Sequence, residues 1–290
     1  MNDSAPRVCI VTFGCQMNKL DSQVLRGELV RSGFTLTDDP DRADVVLYNT
    51  CSVRDHAENR VLSHVGAFRR RARRDPGFIL GVIGCMAQRL GEDLVRQFDF
   101  VRLVAGTRAL LRVPGHLRRI MDGESSVVDV GEEHALEFDR DAAMRVAPNQ
   151  AFVSIMRGCD NFCSYCIVPY VRGREVSRPP RAILQEVAGL AAEGVVEVTL
   201  LGQNVNSYRH EGSGVKTGLT ELLRMVSDVP GIDRIRFVTC HPRDVSDEAL
   251  RAVAELPNVC EHLHAPAQSG SDAVLARMNR RYTQDDYRAM

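Results

Sequence analysis

The chain has 290 residues, 44% of them apolar and 26% charged, enough apolar mass for two cores of ordinary size. Its 37 basic residues balance 38 acidic ones, so a formal charge of −1 selects neither a nucleic acid nor a membrane by overall field. No apolar run approaches the ~20 residues of a spanning helix. The opening MNDSAPRVCIVTFG lacks the basic start and clean apolar stretch of a signal peptide. A cytoplasmic chain without a membrane partner is therefore expected. Nine cysteines, an odd number with no export signal, argue against a disulfide framework. Metal ligation, catalysis or small buried thiols remain.

In chain order, Arg7–Cys15 reads as a buried strand and about Lys19 to Ser32 as a helix, with Leu20, Val24, Leu25 and Leu29 at apolar spacing. Asp44–Cys51 is the next strand, and about Val53 to Arg73 the next helix, stopped by Pro76-Gly77. Phe78–Cys85 and a weaker Val101–Ala105 follow as strands. Strands separated by helices imply parallel βαβ units and an open α/β sheet. The pattern fades between residues 122 and 148, which read as a linker carrying at most a short edge strand. A second α/β series then starts, with strands at Ala151–Arg157, Val195–Leu201, Asp233–Val238 and Val259–His264. Helices lie between them at about Pro180–Glu193, Gly218–Ser227 and Ser246–Glu255. The boundaries expected are thus 1–121, a linker at 122–148, and 149–290.

The cysteines fall at meaningful points. Cys15, Cys51 and Cys85 each end a predicted strand, 36 and 34 residues apart, about one βαβ unit per step. Parallel strands end on one sheet edge, so three thiols distant in sequence can converge there, at the edge where open α/β sheets bind ligands. The alternative is three independent buried thiols. Cys159, Cys163 and Cys166 form a CxxxCxxC directly after another strand. Three close thiolates suit zinc or an iron–sulfur cluster. Structural zinc wants four ligands, and no fourth Cys or His is near in sequence. Three ligands on a cubane cluster leave one iron open. A redox pair at Cys163 and Cys166 is the remaining alternative, against which Cys159 argues.

At these residues the chain resembles the radical S-adenosylmethionine superfamily, and within it the methylthiotransferase family. Arg157-Gly-Cys-Asp-Asn-Phe-Cys-Ser-Tyr-Cys166, Thr12-Phe-Gly-Cys-Gln-Met-Asn18, Asn49-Thr-Cys-Ser-Val-Arg54, Gly84-Cys-Met-Ala-Gln-Arg89, Leu201-Gly-Gln-Asn-Val-Asn-Ser-Tyr208 and His262-Leu-His-Ala-Pro-Ala-Gln-Ser-Gly-Ser-Asp272 carry the likeness, from Val8 to Met290. The tRNA-modifying branch fits best. The branch acting on a ribosomal protein reads Gly-Cys-Pro-Lys-Asn where this chain has Gln16-Met17. The resemblance implies an N-terminal open parallel α/β sheet domain followed by a partial (β/α) barrel. It implies two 4Fe-4S clusters, one on Cys15, Cys51 and Cys85 and one on Cys159, Cys163 and Cys166, with S-adenosylmethionine at the open iron of the second. The implied reaction is methylthiolation of carbon-2 of N6-isopentenyladenosine 37, next to the tRNA anticodon. One electron from an external donor splits S-adenosylmethionine, a deoxyadenosyl radical removes the ring hydrogen, the first cluster gives sulfur, and a second S-adenosylmethionine gives the methyl. That hydrogen is not acidic, so a side-chain base could not take it. The alternatives kept open are methylthiolation of another tRNA adenosine or of a protein side chain, and a non-catalytic iron–sulfur electron carrier.

Tyr165 is expected to flank the adenine, and Gln203 and Asn204 to contact the amino-acid part of S-adenosylmethionine or else form a polar turn. His241 reads as a turn or capping residue, while His262, His264 and Gln268 are site candidates at a strand end. Cys9, Cys240 and Cys260 read as packing residues. Seven arginines between Arg54 and Arg74 form either a tRNA-binding patch or a solvated face. A monomer is expected. Family members carry further barrel strands and a C-terminal RNA-binding β-barrel. The 290-residue chain is too short for these and reads as an incomplete barrel, C-terminally truncated.

Overall fold

The structure is a computed structural model and describes residues 5–52, 55–131, 144–145, 147–212 and 214–290. Val53, Arg54 and about half of the expected linker lie outside the described residues. The chain divides into two compact units, Met1–Met144 and Arg145–Met290.

In the first unit, β1 (Arg7–Phe13), α1 (Gln16–Arg31), β2 (Thr35–Leu36), β3 (Val45–Thr50), α2 (Asp55–Ala67), α3 (Arg69–Arg74) and β4 (Ile79–Gly84) follow one another. Then come α4 (Cys85–Leu90), α5 (Glu92–Gln97), β5 (Val101–Ala105), α6 (Val113–Met121) and β6 (Val127–Asp129). The six strands form one parallel sheet in the order β2-β1-β3-β4-β5-β6. β3 and β4 are buried along their whole length, as parallel strands covered on both faces must be. Strand alternation divides their side chains between two cores. Val45 and Leu47 pack with Leu25 and Leu29 of α1 and Leu117 and Ile120 of α6. Val46 and Tyr48 pack with Val61 and Val65 of α2 and with Met86 and Leu94 on the opposite face. The chain turns back across the sheet between β2 and β3, so the strand order reverses between β1 and β3, the kind of point at whose carboxyl ends open α/β sheets bind ligands. β6 is the short edge strand allowed for in the expected linker. It pairs with β5 and buries Val127.

The second unit runs β7 (Gln150–Ser154), β8 (Met156–Arg157), α7 (Val168–Arg172), β9 (Val176–Ser177), α8 (Pro180–Ala192), β10 (Glu197–Leu201), the hairpin β11 (Arg209–Gly212) and β12 (Val215–Gly218), α9 (Leu219–Ser227), β13 (Arg234–Phe237), α10 (Asp247–Glu255), α11 (Asp272–Arg277) and α12 (Gln284–Ala289). β7, β10 and β13 make a parallel sheet. Its row Ala151, Val198 and Ile235 and its row Val153, Leu200 and Phe237 face α8 and α9 in one core. The other face is mixed: it carries Phe152 and Leu201, and on it Glu197 accepts from Arg234 Nε (2.8 Å) and Arg236 Nε (3.2 Å). One expected strand is corrected. Val259–His264 is not a strand; only Val259 pairs, by a single parallel bridge to Ile235. The His262 N–H bonds back to the Cys260 carbonyl at 2.7 Å, a tight turn that withdraws the chain from the ladder.

Candidate metal centres

The first trio is placed by sheet register. Phe13 pairs with Thr50 and Thr50 with Gly84, so the residues that follow leave three neighbouring strands at one edge. Cys15 sits at the N-cap of α1, Cys51 continues the ladder through its N–H to the Phe13 carbonyl (3.1 Å), and Cys85 opens α4. Close backbone approach is built in. A Cβ at Gly14 would lie 2.8 Å from the Cys51 Cβ, and one at Gly84, whose φ is +91°, would lie 2.4 Å from Asn49 Oδ1. Beneath the thiols is a buried polar lattice. Asn18 Nδ2 donates to Asn49 Oδ1 (3.0 Å) and the Thr50 carbonyl (3.2 Å). Asn49 Nδ2 donates to the Asn18 carbonyl (2.9 Å) and Ser22 Oγ (2.8 Å), and Cys15 Sγ points at Asn18 Oδ1, 3.3 Å away. This lattice locks the start of α1 to the end of β3. Cys15 is exposed, Cys51 and Cys85 buried.

The second trio lies in the loop between β8 and α7. Cys159 and Cys163 are buried and Cys166 half-buried. Gly158, at φ +80°, permits the entry turn: a Cβ there would meet the Arg174 carbonyl oxygen at 1.9 Å. The Cys159 N–H bonds the Gly173 carbonyl (3.1 Å), and the Gly158 N–H bonds Gln203 Oε1 (2.5 Å). The far side is held by a segment more than a hundred residues away. Ser164 N–H donates to the Met278 carbonyl (3.0 Å), Ser164 Oγ to the Arg277 carbonyl (2.9 Å), and Asn279 Nδ2 to the Phe162 carbonyl (2.9 Å). Arg280, 5% exposed, reaches Cys163 Sγ and Tyr165 OH, each at 3.4 Å. Tyr282 OH, near Arg280 Nε at 3.3 Å, donates to the Ala267 carbonyl (2.6 Å).

Burial pushes the Cys159 thiol up to about 11 and also raises Cys166. A free thiolate is thus disfavoured in this loop, and a cationic metal is what makes the ligating form accessible. Among the described residues, no three or more His, Cys, Asp or Glu side chains gather as ligands of a single metal ion. The all-thiolate donor sets, the glycine turns and the buried guanidinium beside Cys163 fit iron–sulfur clusters.

Gln203 and Asn204 follow β10 as expected, but their visible work is internal. Gln203 holds Gly158, with its Nε2 buried and without a partner. Asn204, 2% exposed, donates to Asp244 Oδ2 (2.6 Å) and accepts the His241 N–H (3.1 Å). Tyr165 is half exposed. His241 caps a short 3-10 turn by accepting the Arg243 N–H at Nδ1 (3.3 Å). Burial lowers its pKa to about 4. Its Nε2 lies 4.0 Å from Cys163 Sγ. Position in sequence placed it as a cap; nothing there showed the sulfur contact. Arg280 was missed altogether, because one arginine among many carries no local mark. His262, His264 and Gln268 are exposed; the Thr239 N–H reaches His264 Nδ1 at 3.4 Å. Cys9 and Cys240 pack in the cores. Within the arginine run, Arg71 stacks on Phe78 (4.2 Å) and donates to the Pro40 and Ala43 carbonyls, so it serves the fold. Arg69, Arg70, Arg73 and Arg74 are exposed. Among the described residues no helix is long and apolar enough to cross a membrane.

The chain is similar to known proteins in sequence and in fold. The pattern of the uncharacterized protein family UPF0004 matches residues 7–106, and that of the Radical SAM superfamily matches residues 153–290. The chain is 47% identical over 282 residues to a tRNA-2-methylthio-N(6)-dimethylallyladenosine synthase of Caldicellulosiruptor saccharolyticus, covering 96% of this chain and 59% of that protein. It is 49% identical over 280 residues to the protein of that name from Geobacter sulfurreducens, covering 96% and 62%. The chain therefore spans about three fifths of the length of these relatives. In fold it is similar to the radical S-adenosylmethionine methyltransferase TsrM of Kitasatospora setae (TM-score 0.59, 14% identity, 97% of this chain and 66% of that one). It is also similar to the cobalamin-dependent S-adenosylmethionine radical enzyme OxsB (TM-score 0.62, 11% identity, 98% and 46%). Two cysteine trios on two α/β units thus accompany a likeness, over nearly the whole chain, to proteins named as tRNA-2-methylthio-N(6)-dimethylallyladenosine synthases, with the Radical SAM superfamily pattern over the second unit.

Proposed function

We propose that this chain methylthiolates carbon-2 of N6-isopentenyladenosine 37 in tRNA. The observation carrying the reading is the presence of two separate thiol trios in this chain, one at the ends of three parallel strands and one in a CxxxCxxC loop, together with its 47–49% identity to relatives whose names state this product. Cys159, Cys163 and Cys166 hold a 4Fe-4S cluster and leave one iron for S-adenosylmethionine. Cys15, Cys51 and Cys85 hold a second one. When bound, these groups supply one-electron cleavage, hydrogen abstraction and sulfur. The chain's own work is positioning. Gln203 fixes the Gly158 turn, and the Met278–Arg280 segment closes over the loop. In this reading Tyr165, half exposed at the loop, lies along the adenine. A buried site requires the substrate adenosine to leave its stack. An external one-electron donor, a monomeric state and a cytoplasmic setting complete the reading.

Deleting the gene tests it, by mass spectrometry of tRNA nucleosides. Loss of the 2-methylthio mark with accumulation of the isopentenyl precursor is expected. An unchanged 2-methylthio level in the deletion strain overturns the proposal.

A further inference from the structure

Arg280 is a permanently charged group in a buried place. Among the described residues no carboxylate lies within 4.0 Å of it; its neighbours are Cys163 Sγ, the Tyr165 and Tyr282 hydroxyls and the Pro266 carbonyl, all at 3.3–3.4 Å. The buried Arg178, by contrast, has the Glu186 carboxylate beside it at 2.6 Å. A buried cation without an anion is costly, and a neutral thiol is a weak acceptor. A second side chain approaches the same sulfur. His241 accepts the Arg243 N–H at Nδ1, so in the neutral ring the proton sits on Nε2, which lies 4.0 Å from Cys163 Sγ.

We propose that Arg280, helped by His241, is a positioning and tuning residue for the cluster on this loop: it is the counter-charge of the Cys163 thiolate and raises the cluster's reduction potential by donating to that sulfur. This rests on the reading that Cys163 ligates a cluster. Hydrogen bonds to ligand sulfurs, and net charge near them, set the potentials of iron–sulfur groups. Reduction adds negative charge, so a cation and a donor at the sulfur favour the reduced form. The asymmetry is part of the argument. Cys159 and Cys166 take backbone N–H donors, from Asn161 and Val168, while Cys163 takes two side chains that belong to distant segments. Arg280 also ties the loop to Pro266 and Tyr282, so electronics and loop closure share one residue.

The test uses the full chain with Cys15, Cys51 and Cys85 changed to alanine, reconstituted anaerobically, so that one cluster reports. The midpoint potential is read by spectroscopic redox titration, and iron release to a chelator is timed alongside. Arg280→Met is expected to lower the reduced fraction at fixed poise at least ~10-fold, about 59 mV for one electron. It is also expected to speed iron release. Arg280→Lys, which keeps the charge, should restore most of the potential, and His241→Phe should give a smaller shift in the same direction. An unchanged potential in fully loaded Arg280→Met overturns the proposal. Should that variant load poorly, a potential for Arg280→Lys equal to that of loaded Arg280→Gln overturns it instead. Absence of any cluster in the Arg280 parent would defeat the cluster reading itself, a different result from an unmoved potential.

Discussion

The two cysteine trios use opposite means of positioning. The first is made by a sheet: Cys15, Cys51 and Cys85 follow three parallel strands that stop in register at one edge, and a buried asparagine lattice stiffens those strand ends. The second is local in sequence but closed from afar, by Ser164, Asn279 and Arg280 contacts spanning more than a hundred residues. Sheet register makes a site that fails only if the sheet fails. A clamped loop makes a site that can be lost, or tuned, through a distant segment while its own unit stays folded.

The sharpest way to break this comparison is to remove one ligand from each trio. Cys51→Ala and Cys163→Ala should each lose about half of the iron and sulfide of a protein loaded with about eight irons. Only Cys163→Ala should abolish 5′-deoxyadenosine formation from S-adenosylmethionine. Elemental analysis with product chromatography separates the two, and loss of both clusters in either variant would show that the sites are not independent.

Next in size is Gly158→Ala. The added methyl meets the Arg174 carbonyl at 1.9 Å on a backbone held at φ +80°, so about 3 kcal/mol or more of stability should be lost from the second unit. Denaturant unfolding should show that loss with the transition of the first unit in place. Asn49→Ala is the counterpart in the sheet. It leaves Asn18 Nδ2, the Asn18 carbonyl and Ser22 without one partner each and should cost about 2–3 kcal/mol, read as a shifted midpoint in urea. Equal effects of the two substitutions on both unfolding transitions would erase the distinction.

The smallest effect is in pH dependence. Arg112 first, and His116 second, hold the Asp129 carboxylate below its usual range, with Arg112 Nε at 2.8 Å and His116 Nε2 at 2.6 Å. A depressed folded-state pKa gives stability that is present above the unfolded value, about 3.9, and is lost as pH falls through the folded one. Asp129→Asn should therefore weaken the first unit at pH 7, and the difference from the parent should close in strong acid. Thermal melts across pH 2–7 check this.

Much of the fold was legible because its signals are local. Val45–Thr50 and Ile79–Gly84 are apolar runs of strand length between helical patterns, and the spacing of Cys15, Cys51 and Cys85 repeats the βαβ unit that delivers them to one edge. The departure at Val259–His264 came from backbone bonding. Its residues suit a strand, yet the His262 N–H is taken by the Cys260 carbonyl. Asn204 and Gln203 were placed correctly at the end of β10, but their partners Asp244 and Gly158 stand 40 and 45 residues away. No periodicity encodes such pairings.

The spacing of the two cysteine trios, the burial of the strands and the two α/β units were therefore written in residue type and period, since strand-end positions recur with the βαβ unit and alternating apolar side chains must face a core. The electrostatic setting of the Cys163 sulfur was settled by folding alone. Whether Arg280 ends beside a thiol or in water depends on where the chain after α11 packs, and that is a property of the assembled unit, with no trace in the residues flanking position 280.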